Sequence, residues 1–386
     1  MRIITTTDDL AEFTADLKKR PFVAVDTEFM REKTYWPILC LIQAAADGAE
    51  AIIDPMAKGL DLSPFLDLLR DSSTTKVFHA ARQDVEIFYN LLGEVPAPLF
   101  DTQVAAMACG FGDQIGYEPL MRTLVGAHID KGSRFTDWAR RPLSESQLTY
   151  ALSDVTHLRD AYPILMERLE TDGRWRWVEE EMSALNDAGL YKVEPEHAWK
   201  RLKLRGVRPN DLGPIMKLAE WRELEAQDRD TPRGRVMKDE AILELARQKP
   251  NSPEELSQAR TIPRGFERSR SAEHILHAIA AGKKIDRSAL PKIEKNERRA
   301  APPADVVELL KVLLKRQSEK FGIASRLIAS NADLDAIALG DHTVKAMSGW
   351  RNELFGELAL KLIAGGLALK LTNGAVEVID TDDQPS

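Results

Sequence analysis

Phe22-Val23-Ala24-Val25-Asp26-Thr27-Glu28-Phe29 is an apolar run, rich in Val, that closes on two carboxylates. Such a run reads as a strand, in which residues two apart project to the same side. Asp26 and Glu28 therefore stand next to each other. Carboxylates held that close repel, which raises a pKa and costs stability unless a cation neutralises them. A hard divalent ion such as Mg²⁺ or Mn²⁺ is the natural partner. Asp-x-Glu alone equally fits a solvated strand end, and Asp84-Val85-Glu86 repeats the pattern.

Further acids come at defined places downstream. Lys76-Val77-Phe78-His79 is a short strand signal, and the stretch from Asp84 to Leu92 carries apolar residues at helical spacing. Asp84 thus falls on the first turn of a helix, where an acid also suits the helix dipole. Ser144-Glu145-Ser146-Gln147 has the form of a capping box and opens a helix through Leu148, Leu152 and Leu158. On it Tyr150 and Asp154 are four apart and share one face, as a simple surface hydrogen bond would also require. Taken in order, a strand Asp-x-Glu, a helix Asp and a helix Tyr-x-x-x-Asp are much harder to obtain by chance than any one of them.

The segments around this set resemble the ribonuclease D family, within the DEDDy group of 3′ to 5′ exonucleases. The stretches that carry the resemblance are VDTEFMREKTYWPILCLIQ (25–43), VFHAARQD (77–84), FDTQ (100–103) and DWARRPLSESQLTYALSDV (137–155). The resemblance is dense over residues 1 to 170 and looser beyond. It implies a ribonuclease H-like α/β domain with a mixed β-sheet, followed by two all-α HRDC-like domains. It also implies two divalent ions, Mg²⁺ or Mn²⁺, held by Asp26, Glu28, Asp84 and Asp154. In that scheme Asp26, Glu28 and Asp154 hold the ion that activates the attacking water. Asp26 bridges to a second ion near the leaving oxygen, with Asp84 on that side. Such a pair can serve the nucleophile, the phosphoryl oxygens and the departing 3′ oxygen together. Tyr150 completes the catalytic set; a phenol with an ordinary pKa of about 10 suits orienting the water better than taking its proton.

Residues for substrate grip are less sharply marked. Phe29 and Met30 could give a terminal base an apolar contact that tolerates any sequence, or could pack a strand end. Lys131, Arg134, Arg140 and Arg141 flank Trp138 in a basic stretch that suits phosphate contact or a solvated loop. His79, close to Asp84, is a further candidate contact, although a structural hydrogen-bonding role fits it better.

A length of 386 residues suggests two or three domains. Helical patterns dominate after residue 170: Leu218, Trp221 and Leu224 recur at spacing three, Ala241 to Ala246 continue the theme, and Ser252-Pro253-Glu254-Glu255 combines an N-cap with a capping box. The expected division is 1–172 exonuclease domain, 173–209 helical linker, 210–289 HRDC domain, 290–304 linker, 305–379 second helical HRDC-like domain and 380–386 disordered tail. The net charge of −8 is awkward for a nucleic-acid enzyme, but distribution matters more than the total. Trp199 to Arg208 carries five basic residues and no acid, and Arg229 to Lys238 four against one. Two cysteines, Cys40 and Cys109, cannot make a disulfide framework, the first residues lack a secretory pattern, and Leu358 to Leu371 is too short to span a bilayer.

The expectation is a cytoplasmic, monomeric 3′ to 5′ exoribonuclease that trims RNA, by resemblance tRNA precursors, to nucleoside 5′-monophosphates. Two alternatives stay open at this point. A DNA 3′ to 5′ exonuclease would use the same chemistry, since the polymers differ mainly by the 2′-OH. A catalytically silent RNA-binding protein would keep only the helical modules active.

Overall fold

The structure is a computed structural model that describes residues 1–129, 132, 136–291 and 301–381. Its N-terminal region opens with a short strand, β1 (Ile3–Ile4), which the sequence did not signal, and helix α1 (Thr7–Leu17). Strand β2 (Phe22–Met30) follows where the apolar run predicts it, and then β3 (Ile38–Ala46) and β4 (Ala49–Ile53). Then come α2 (Ser63–Arg70), β5 (Thr75–Phe78), α3 (Arg82–Leu92), β6 (Leu99–Asp101) and α4 (Thr102–Ala108). Helices α5 (Tyr117–Val125), α6 (Glu145–Thr171) and α7 (Trp175–Leu185) complete the region.

The six strands form one sheet in the order β1-β4-β3-β2-β5-β6. It is mixed: β2, β5 and β6 run parallel, as do β1 and β4, whereas β3 and β4 are antiparallel. Val23, Ala24 and Val25 are fully buried, as are Leu41, Ile42 and Ala44 to Ala46. Successive residues point to opposite sides of a strand, so such unbroken apolar runs need cover on both faces of the sheet. The buried stripe of α6, Ala151, Leu152, Val155, Leu158, Ala161, Leu165 and Leu169, has helical spacing and packs the helix against β4 and β5. The same stripe carries Asp154.

The chain divides into two compact units. Unit 1 holds Met1–Glu28, Leu41–Ala188 and Arg298–Ser386; unit 2 holds Phe29–Cys40 and Gly189–Glu297. Unit 2 is built on α8 (Pro209–Asp228), α9 (Arg233–Val236), α10 (Asp239–Gln248), α11 (Pro253–Leu256) and α12 (Arg270–Lys283). Leu218, Ile242, Leu245, Leu256 and Ile275 fill its core. Helices α8 and α12 cross at Gly213 and Gly282, where an added Cβ would lie 2.3 and 2.5 Å from the opposing glycine's carbonyl oxygen. Ser252 caps α11 by accepting from the Glu255 N–H, but the Glu255 carboxylate accepts from the N–H of Asn251. The expected reciprocal box is thus only half formed.

The last region, within unit 1, contains α13 (Ala304–Phe321), α14 (Ser325–Ile328), α15 (Asn331–Ala338), α16 (Gly349–Arg351) and α17 (Glu357–Ala364). It is not all helical as expected. Gly365 at φ +82° ends α17, and β7 (Leu367–Thr372) and β8 (Ala375–Asp380) form an antiparallel hairpin. Asn373 and Gly374, both at positive φ, make the turn that Asn-Gly favours between two strands. Of the expected tail, Asp380 ends β8, and 382–386 lie outside the described residues, as do 292–300 of the expected linker.

Candidate metal centre

The second half of β2 carries Asp26-Thr27-Glu28, and alternation along the strand brings the two acids side by side. Helix α6 begins at Ser144, whose side chain accepts from the Gln147 N–H while the Gln147 side chain accepts from the Ser144 N–H. Two turns on, α6 delivers Asp154. The carboxylate oxygens of Asp26, Glu28 and Asp154 lie within 4.8 Å of one another. Two oxygens on one Mg²⁺ at about 2.1 Å can be at most about 4.2 Å apart, so a small inward movement of these side chains would suit one such ion.

Electrostatics agree with a cation-binding role. The Asp26 carboxyl is pushed well above the usual carboxylate range, first by burial and then by the charge of Asp154. Asp84 sits in the first turn of α3, 8% exposed, and is also pushed well up, first by burial and then by Asp26. It belongs to the same field of charge, while its oxygens are not among the three that converge. Carboxyls gathered this closely, with Asp26 and Asp84 raised by burial and by neighbouring acid charge, are what a multivalent cation would stabilise, so the donor set fits the divalent ions that the sequence implied. Tyr150 is half-buried one turn before Asp154, and the rings of Trp138 and Tyr150 lie 6.3 Å apart.

Three residues that sequence reasoning missed hold this arrangement. Thr27 Oγ1 donates to Asp84 Oδ1 at 2.5 Å, joining the strand to α3. The Asp101 carboxylate accepts from the N–H groups of Ala80, Ala81 and Gln103, which caps α4 and fixes the turn leading into α3. Tyr117 OH donates to the backbone carbonyls of Ser153 and Asp154, and burial followed by the charges of Asp154 and Asp26 pushes its pKa well up. Asp101-Thr102-Gln103 carried a legible capping signal; Thr27 and Tyr117 carried none.

The candidate substrate contacts fare unevenly. Phe29 and Met30 are half-buried, and Arg140 is exposed. Arg134 and Lys131 lie outside the described residues. Trp138 is 2% exposed, so its ring is a packing surface and not a platform for a base. Arg141 gives its Nε and Nη2 to the two oxygens of Asp54, each at 2.7 Å, and its Nη1 to the carbonyls of Trp138 and Arg140. This fork anchors the loop before α6, and the reading of Arg141 as a phosphate contact is replaced. His79 Nδ1 lies 3.0 Å from Thr102 Oγ1, and its ring meets Tyr117 edge-on, so it too is structural.

Residues 1–170 match the family described as 3'-5' exonuclease, and residues 214–279 match the HRDC domain. The chain is 47% identical to Ribonuclease D of Jannaschia sp. (strain CCS1), over 98% of this chain and 99% of that one. It is 49% identical to Ribonuclease D of Nitrobacter hamburgensis, over 97% and 98%. Among solved structures, that of Escherichia coli RNase D, an exoribonuclease involved in structured RNA processing, matches with a TM-score of 0.81 at 32% identity, covering 94% of this chain and 98% of that one. The acid cluster lies within the region matched as an exonuclease, and the likeness continues through both helical regions, so the chain belongs to the ribonuclease D family.

Proposed function

We propose that the protein is a metal-dependent 3′ to 5′ exoribonuclease that hydrolyses RNA 3′ ends to nucleoside 5′-monophosphates and acts on tRNA precursors with extra 3′ residues. The observation that carries this reading is the convergence of Asp26, Glu28 and Asp154 on a ribonuclease D frame. Asp26, Glu28 and Asp154 would hold one Mg²⁺ or Mn²⁺ ion, and Asp26 with Asp84 a second. When bound, such ions relieve charge on the phosphoryl oxygens, lower the pKa of the attacking water and stabilise the leaving oxygen.

The chain's own residues supply the rest. Thr27 keeps the Asp84 carboxylate turned toward the strand through its hydroxyl. Tyr150 orients the attacking water by hydrogen bond, and Trp138 limits the positions open to its ring. Phe29 and Met30 offer apolar contact to the terminal base, and Arg140, which is exposed, offers a cation to a phosphate. The domain division 1–172, 210–289 and 305–379 belongs to this reading, with the helical regions holding the RNA body. So do a monomeric state and a cytoplasmic setting. Two supporting observations are that Cys40 and Cys109 are buried thiols outside any disulfide, and that, among the described residues, no helix is long and apolar enough to cross a membrane.

The test is digestion of a 5′-labelled tRNA precursor with Mg²⁺ or Mn²⁺, beside a chelator control, an Asp26→Ala control and a matched DNA oligonucleotide. A metal-dependent ladder shortening from the 3′ end, absent in both controls and weaker on DNA, is expected. Binding without shortening would refute the enzymatic reading.

A further inference from the structure

The loop that follows the metal-binding strand packs with the first helical bundle. Phe29–Cys40 belongs to unit 2, whereas Met1–Glu28 belongs to unit 1, so the changeover falls inside β2, one residue past Glu28. Tyr35 is the centre of the attachment, at 4% exposure. Its hydroxyl donates to Glu223, a carboxylate with 0% exposure on α8. Arg233 donates to the same carboxylate through Nε at 2.6 Å and Nη2 at 2.8 Å, and lies 4.9 Å over the Tyr35 ring. Asp230 Oδ1 accepts from the backbone N–H of Tyr35 at 3.0 Å and of Trp36 at 2.9 Å. Asp230 itself sits at φ +44°, a left-handed conformation that Asp tolerates better than most residues and that persists only where its surroundings hold it.

This is an expensive way to fasten a loop. A buried ion pair is seldom more stabilising than apolar groups of the same shape, and its distinctive contribution is fixed geometry. Here the geometry is imposed on main chain as well as side chain, because two of the bonds go to backbone N–H groups. We propose that the Tyr35–Glu223–Arg233–Asp230 clasp is a positioning device for the metal centre: it fixes the end of β2 and with it the Glu28 carboxylate. Tyr35 and Asp230 are then positioning residues, and the first helical bundle takes part in the catalytic geometry in addition to any grip on RNA. For turnover this rests on the function proposed above; for metal binding it does not.

The experiment uses the full chain with Tyr35→Phe, which keeps the ring under Arg233 and removes only the hydroxyl, and with Asp230→Ala and Asp230→Asn. Mn²⁺ affinity is measured by calorimetry, amide hydrogen exchange is followed over residues 26 to 31, and kcat and KM are taken on a short single-stranded RNA. Tyr35→Phe and Asp230→Ala are expected to weaken Mn²⁺ binding, toward tenfold when combined, on the order of a lost supporting contact. They also speed exchange at the end of β2 and lower kcat more than they raise KM. Asp230→Asn, which keeps an acceptor oxygen, restores part of each. Wild-type Mn²⁺ affinity and exchange in the combined variant, whatever its melting temperature, would overturn the proposal and leave the clasp a fastening only. A wild-type chain that binds Mn²⁺ but shortens no RNA would remove the nuclease reading, and the affinity and exchange data would still decide the clasp.

Discussion

Single side chains set the chemistry of the acid cluster. Tyr150→Phe is expected to slow single-turnover cleavage by roughly 10² while leaving calorimetric Mn²⁺ affinity within about twofold, as for loss of a group that handles a proton or water. Asp26→Ala should remove both metal and activity; an unchanged cleavage rate in Tyr150→Phe would cancel the role given to the tyrosine. The raised pKa of Asp26 has a signed consequence for stability. Between the unfolded pKa, about 3.8, and the raised folded one, the folded chain binds more protons than the unfolded chain, so stability falls as pH rises through that window. In chelator, Asp26→Asn should therefore melt above the wild type, with a gap that is wider at about pH 8 than at about pH 5. Melting curves across that range check it, and a gap that shrinks with rising pH would contradict the cause assigned. Lys76 is a second buried charge, enclosed by the carbonyls of Asp71, Thr74 and Ala97, and burial lowers its pKa to about 8. It lies on β5, which pairs Lys76 with Val23 near the start of β2, away from the Asp26–Glu28 end, and nothing in the proposed chemistry uses it.

At the scale of elements, packing decides more than propensity. Crossing α8 and α12 at Gly213 and Gly282 leaves no room for a methyl group, because the atoms it would meet are backbone and cannot rotate aside. Gly282→Ala is expected to cost about 1–3 kcal/mol even though alanine is the better helix former. Denaturant unfolding of the full chain would show it, and a stabilised variant would mean that the helices slide apart freely. Strand β2 and helix α6 were legible because each announces itself locally: the first by an unbroken apolar run, the second by the Ser144–Gln147 box and a stripe of period 3.6. The hairpin after residue 365 was legible too, since Asn373-Gly374 sits between alternating segments, but the apolar richness of Leu358 to Leu371 masked the change of period. The two-residue β1 has no such signal, for it exists only because Ile3 and Ile4 pair with Ile52 and Ile53.

Across the whole molecule, the last helical region belongs to the nuclease unit and not to the first bundle. Arg351, only 1% exposed, donates to Glu180, Glu181 and the Leu327 carbonyl, the Trp177 and Trp350 rings stack at 4.6 Å, and Arg174 donates to the carbonyls of Phe321 and Gly322. Arg351→Ala should cost on the order of 2 kcal/mol, because the partly exposed glutamates regain water while the Leu327 carbonyl loses a partner. Limited proteolysis should then release a C-terminal fragment faster than from the wild type; equal rates would show that the tryptophan stack and Arg174 suffice. By itself the sequence marked Asp26, Glu28 and Asp154, whose carboxylates converge, and the strand and helix that carry them, because capping, periodicity and carboxylate spacing are properties of neighbouring residues; its motifs carried the resemblance to the family. Only the tertiary structure decided that Arg141 serves Asp54, that Trp138 is buried, that Thr27 and Tyr117 brace the site, and that Tyr35 is gripped by Glu223 and Asp230. Those partners lie between 36 and 195 residues apart, at separations where pairing follows from how elements pack and leaves no local pattern in the chain.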